Sequence, residues 1–189
     1  MNRESSYTAP RTDCPHPEWW HSDDADSAEH EVSELVASFV RALQPELVVE
    51  TGTAWGATAE AIGRALQANG HGRLISLEVD GERVDHSRKR CIDLPVDILH
   101  QASLEFEPTE PIGFAWFDSL FHLRAAEFRH LRPFLSPGAI VGFHDTGPQH
   151  PLRPSIEALE SEGLNVLFLP TPRGVAFGQL RSKTSPVTT

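Results

Sequence analysis

The chain has 189 residues, of which 39% are hydrophobic and 23% charged, and its net charge is −11 at pH 7. That size suits one domain with a substantial core. The acidic balance and the lack of a basic run weigh against DNA or RNA, whose phosphates reward Lys and Arg. No apolar run approaches the roughly 20 residues of a membrane span.

Residues 1–17 are rich in Ser, Thr, Pro and charge and are expected to be disordered, with no apolar core of a secretory leader. Cys14 and Cys91 stand in no metal-type spacing and read as reduced thiols of a cytoplasmic protein. The pair Trp19-Trp20 is costly to leave in water, so it is expected to pack on the body or to line a substrate entrance. Ser27 is expected to cap a helix running to Leu43, with Val32, Leu35, Val36, Phe39 and Val40 on its apolar stripe.

Strands are predicted at Leu47–Glu50, Leu74–Glu78, Val96–Leu99, Phe114–Phe117 and Ala139–Phe143, with helices at Thr58–Ala68, Gly81–Cys91, Leu123–Phe134 and Ser155–Glu162. Ser136-Pro137-Gly138 is read as a turn, and Leu164–Leu169 and Val175–Leu180 as a hairpin around Thr171–Gly174. The alternation predicts an α/β domain over residues 18–181, with a mostly parallel sheet, helices on both faces and a C-terminal antiparallel hairpin. Residues 182–189 are expected to form a loose tail.

In such sheets ligands bind beyond the C-terminal strand ends. The polar residues there are Glu50 and Gly52, Glu78, Ser103 next to Ala102, Asp118, and His144 with Asp145. The first crossover, Leu47-Val48-Val49-Glu50-Thr51-Gly52-Thr53-Ala54-Trp55-Gly56-Ala57-Thr58, joins an apolar strand to a helix through two glycines. It fails the dinucleotide fingerprint at Ala54 and Ala57, and it lacks the Lys of a phosphate loop. Glu50 at the strand end suits a cationic or hydroxyl-bearing ligand better than a phosphate.

This stretch resembles motif I of class I S-adenosylmethionine (SAM)-dependent methyltransferases. Leu74-Ile75-Ser76-Leu77-Glu78-Val79-Asp80 looks like their motif II, in which the acid holds the ribose diol. The later segments Phe114–Asp118 and Ile140–Thr146 resemble the small bacterial branch of the methyltransferase 24 and cephalosporin hydroxylase-like O-methyltransferase group. The resemblance implies a Rossmann-like class I methyltransferase sandwich, with the first strand between the second and fourth and the fifth beside the fourth. It implies SAM as cofactor, held by Glu50, Gly52, Thr53, Gly56, Thr58, Glu78, Ala102, Ser103 and Asp118. Asp80 is the fallback for Glu78 or a helix cap. His122 lies four residues beyond Asp118, off the commoner spacing, and is not carried over.

Methyl transfer to a hydroxyl needs alignment and removal of a proton. Two arrangements are open: Asp118, His144 and Asp145 hold a divalent metal (Mg, Mn or Fe) that acidifies the acceptor, or His144 is a general base oriented by Asp145 or Asp118. The plainer roles are a loop hydrogen bond for His144 and turn or helix caps for the two acids. The expected function is O-methylation of a small hydroxylated metabolite or sugar. The alternatives are an N-methyltransferase or a catalytically silent partner subunit that keeps the fold. A homodimer is left open, because no long insertion supplies a lid.

Overall fold

The computed structural model describes residues 14–181, so the expectations for residues 1–13 and 182–189 lie outside the described residues. Seven strands form one sheet in the order β3-β2-β1-β4-β5-β7-β6. They are β1 (Leu47–Thr51), β2 (Arg73–Glu78), β3 (Val96–His100), β4 (Ile112–Phe117), β5 (Leu135–His144), β6 (Leu164–Leu169) and β7 (Val175–Leu180). The first five are parallel, and β7 runs antiparallel between β5 and β6.

The sheet is covered on both faces because its strands are apolar on both sides. Val48, Leu74, Phe114 and Trp116 pack against α1 (His30–Leu43), α2 (Ala57–Asn69) and α3 (Gly81–Arg90). Val49, Leu77, Phe117, Val141 and Phe143 form the other layer with α4 (Arg124–Leu131) and α5 (Arg153–Ala158). No helix among the described residues is long and apolar enough to cross a membrane.

Three local expectations need correction. Ser136-Pro137-Gly138 is not a free turn but part of β5, where the pairing jumps from Ile112↔Leu135 to Phe114↔Ile140. Pro137 has no N–H to pair, so the ladder bulges there and not at a strand end. Ser27 does not cap α1. Its hydroxyl and N–H both go to Asp24, and Glu29 takes the N-cap position without a side-chain cap bond. The two tryptophans part company: Trp20 packs against the core, whereas Trp19 is 65% exposed and stacks on His16.

Candidate functional site

A cavity of about 520 Å³ opens across the C-terminal ends of the parallel strands. Its floor is the turn after β1. Gly52 has φ 82°, and a Cβ there would lie 2.5 Å from the Asp118 carbonyl oxygen, so only glycine lets the turn lie this close to β4. Glu78 ends β2 with its carboxylate folded over the same turn. One oxygen accepts the Ala54 N–H at 2.8 Å, and the other accepts the N–H groups of Val79 (2.8 Å) and Asp80 (3.0 Å). Asp80 caps α3 by accepting from Glu82 and Arg83. Gln101 and Ser103 line the cavity beyond β3, whereas Ala102 between them does not.

Other expected cofactor residues lie beneath this wall. Glu50 is buried and accepts from the Ser76 hydroxyl, which also meets Thr53 Oγ1. Thr58 meets Ser33 of α1 at 3.1 Å. Neither Glu50 nor Thr58 lines the main cavity; Thr53 and Thr58 line a narrow crevice under residues 26–28. Gly56, at φ 82°, starts α2. These residues shape the turn and do not form the cavity wall.

Burial raises the Glu50 pKa to about 8, with Asp118 and Glu78 adding repulsion against the Ser76 hydrogen bond. The carboxyl is therefore neutral at pH 7. A group whose folded pKa lies above its ordinary 4.5 contributes stability that is full below pH 4.5 and lost as pH rises through about 8. Glu50→Gln keeps the neutral shape without that proton. We expect the variant to melt roughly 4–8 °C above the wild type at pH 8, with a much smaller gap at pH 5. An equal gap at both pH values in a thermal melt would show that Glu50 is ionised throughout.

The strand order brings Asp118 (after β4), His144 (the last residue of β5) and Asp145 together. His144 Nδ1 lies 3.2 Å from Asp118 Oδ1 and 3.7 Å from Asp145 Oδ1. Three residues that the sequence reading missed complete the group. Glu29 Oε2, at the start of α1, lies 2.8 Å from His144 Nε2. Arg124, at the first turn of α4, reaches Asp118 at 2.9 Å and Asp145 at 3.0 Å, and its other nitrogens donate to the Ser119 and His144 carbonyls. Arg173, in the β6–β7 turn, reaches Asp145 at 2.7 Å and the Ser27 carbonyl at 2.9 Å. The turn is tied to the end of β5 by Thr146 N–H to Gly174 O and Gly147 N–H to Arg173 O.

The group balances when His144 is charged: Glu29, Asp118 and Asp145 face His144, Arg124 and Arg173. Burial opposes an imidazolium here, but Asp118 and Asp145 outweigh it and hold the His144 pKa up at about 9. Burial likewise opposes ionisation of Asp145, and His144, Arg124 and Arg173 overcome it, driving its pKa far down.

That balance bears on both arrangements expected for catalysis. One ligand atom from each of Asp118, His144 and Asp145 lies within 4.8 Å of the others, a spacing suited to a metal. The donor set nevertheless does not fit a divalent ion. Two guanidiniums already bind its carboxylates, and a charged imidazole has no lone pair to give. For the same reason His144, fully buried and with both nitrogens on carboxylates, is not placed to take a proton from a substrate. His150 lines the cavity as well. Its Nδ1 accepts the Leu152 N–H at 3.2 Å, and burial holds its pKa below the ordinary value. Its only sequence signal was its position six residues past the β5 end.

The profile of a family described as a methyltransferase domain matches residues 49–146. No curated protein sequence matches the chain. Among solved structures, the fold is similar to the SAH-bound methyltransferase PaMTH1 of Podospora anserina, at 15% identity, covering 88% of this chain and 85% of that one, TM-score 0.74. It is also similar to the O-methyltransferase TomG of Streptomyces achromogenes, involved in tomaymycin synthesis and solved with SAM, at 18% identity, 83% and 82% coverage, TM-score 0.70. A third is an O-methyltransferase from Bacillus cereus solved with SAH, at 19% identity, 84% coverage of both chains, TM-score 0.70. At such identities the likeness speaks for the fold. The family match spans more than half of the 189 residues and includes the turn after β1, Glu78, Asp118 and the β5 end, and on that ground the chain belongs to the methyltransferase domain family and is a class I SAM-dependent methyltransferase.

Proposed function

We propose that the chain transfers the methyl group of SAM to a hydroxyl oxygen of a small metabolite or sugar. The observation that carries this reading is the cavity over β1, β2 and β4, lined by both Glu78 and Asp118. The Glu78 carboxylate accepts three backbone N–H groups and keeps one acceptor position, on Oε2, for a ribose hydroxyl. The Gly52 turn lets the backbone lie against the cofactor. Leu120, Phe121 and Leu123 supply an apolar shelf beside Asp118 for the body of the acceptor. A space of about 520 Å³ shared by a nucleoside cofactor and its acceptor suits a small molecule and not a polymer.

In the transfer the methyl–sulfur bond breaks as the methyl–oxygen bond forms, and the acceptor's proton must leave. Asp118 and Asp145 of the ionic group both line the cavity, and Asp145 has both oxygens on guanidiniums. Asp118 Oδ1 is held by Arg124 and His144, and its Oδ2 has no hydrogen-bond partner among the described residues. Asp118 Oδ2 takes the proton; His144, Asp145, Glu29 and the two arginines keep it aimed. No step runs through a metal.

Isothermal titration with S-adenosylhomocysteine tests the cofactor half. Glu78→Ala is expected to weaken binding about 10–100-fold, the loss of a charge-assisted bond to a ribose hydroxyl. Unchanged affinity in a variant that melts like the wild type would move the ribose away from Glu78.

A further inference from the structure

The two edge strands of the sheet, β3 and β6, are built differently. β3 is guarded. It follows Pro95 and carries Asp97, which meets Arg73 at 3.4 Å. The Arg88 guanidinium covers its backbone, donating to the Ile98 carbonyl at 2.9 and 3.1 Å. Proline, charge and a covering side chain are the usual means by which a free edge avoids pairing with another chain. β6 has neither charge nor proline in its six residues, Leu164-Asn165-Val166-Leu167-Phe168-Leu169. Among the described residues no side chain bonds the backbone of residues 164–168; Arg181 meets the Asn165 side chain at 2.9 Å. Between Glu162 and Arg181 the sole charged residue is Arg173, which is held at Asp145.

Leu167, in the middle of this edge, is 63% exposed. It stands opposite Phe177 of β7 in the ladder, and cross-strand partners share a face. Phe177 in turn packs on Phe39 of α1, with ring centroids 4.2 Å apart. The row Phe39, Phe177, Leu167 is therefore apolar from the core to the edge and ends in water. A net charge of −11 opposes contact between copies of this chain over most of its surface, and the β6 edge is where that repulsion is locally absent. An antiparallel pair of identical strands has a twofold axis between them. Two copies of β6 thus supply each other's outward N–H and C=O groups and close the assembly at two chains. We propose that β6 is a homodimer interface: two copies pair antiparallel along residues 164–168, join their sheets into one and bury the two Leu167 side chains against each other. β6 lines no part of the cavity, so this pairing is independent of what the cavity binds.

Sedimentation velocity on the full chain tests this. Across about 1–100 µM the wild type is expected to run at twice its 20.9 kDa chain mass. Leu167→Lys puts a charge on the open edge and is expected to raise the dimer dissociation constant at least about 100-fold. Its affinity for S-adenosylhomocysteine should stay within about threefold of the wild type, which shows that the separated chain is folded. Ile92→Lys changes an apolar residue that is 76% exposed beside the β3 edge and is expected to leave the dimer intact. Hydrogen exchange locates the contact: the alternate β6 amides that point away from β7 should exchange at least about tenfold faster in Leu167→Lys than in the wild type. A monomeric wild type overturns the inference. A Leu167→Lys protein that stays dimeric overturns it too, by placing the interface elsewhere. Loss of the dimer in Ile92→Lys as well would make the association a general effect of exposed apolar residues and overturn it likewise.

Discussion

Asp145→Asn is expected to cost about 3–5 kcal/mol of folding free energy, a fall of roughly 10 °C in melting temperature for a chain of this length. Asp145 is 5% exposed and is the shared anion of Arg124 and Arg173. Removing its charge leaves two buried guanidiniums and an imidazolium facing only Glu29 and Asp118. Asn is the informative replacement because Asp145 sits at φ 57°, a left-handed conformation that Asn tolerates. Asp145→Ala is expected to lose about 1 kcal/mol more, the backbone's share. The pH dependence has a definite sign. Asp145, with its folded pKa below the ordinary 3.8, contributes stability present above that pH and lost on further acidification. His144, raised to about 9, contributes stability that is full below 6.5 and lost as pH rises through 9. The group therefore stabilises most between about pH 4 and 6.5, and Asp145→Asn should flatten both flanks in urea titrations across pH. A variant within 1 kcal/mol of the wild type would mean that solvent, and not Asp145, satisfies the arginines.

The parts of this site that could be read from sequence are those where one residue follows a strand. Glu78, Asp118 and His144-Asp145 each end an apolar run, and the parallel order of β1, β4 and β5 brings the last two groups together at 3.2 Å. The rest of the site comes from contacts with no local signature. Glu29 reaches His144 across 115 positions, and in sequence it is one acid among several before a helix. Arg124 looks like the first residue of a solvent-facing helix turn, and Arg173 like the polar tip of a hairpin. Both become interior because the β5 end and the β6–β7 turn close on the same point. Glu127 lies in a helix whose other charges give no hint of burial, and its partners are hydroxyls supplied by three strands. The metal expectation drew on two aspartates and a histidine that follow neighbouring strands. A place at a strand end carries no information about the guanidiniums that already hold the carboxylates.

Asp118→Asn is expected to lower kcat about 10²–10⁴-fold, the usual worth of a positioned proton acceptor, while changing the affinity for S-adenosylhomocysteine less than about threefold. The side chain keeps an oxygen for Arg124 and His144, so the ring and the guanidinium stay in place, but the atom facing the acceptor becomes an amide N–H₂ that accepts no proton. A panel of phenols, sugars and hydroxy acids supplies the turnover assay, and the substitution should reduce every acceptor that works on the wild type. Treatment with EDTA should leave wild-type turnover unchanged, because the carboxylates near the acceptor already carry guanidiniums in place of an ion. Two results would reverse the assignment. Strong loss of cofactor affinity with kcat preserved would make Asp118 an anchor for the methionine ammonium and leave the proton to another group. Loss of turnover on chelation, restored by added Mg²⁺ or Mn²⁺, would mean that Arg124 and Arg173 swing away to admit a cation. The distances of 2.9 and 2.7 Å would then describe a resting state of the ionic group and not its working one.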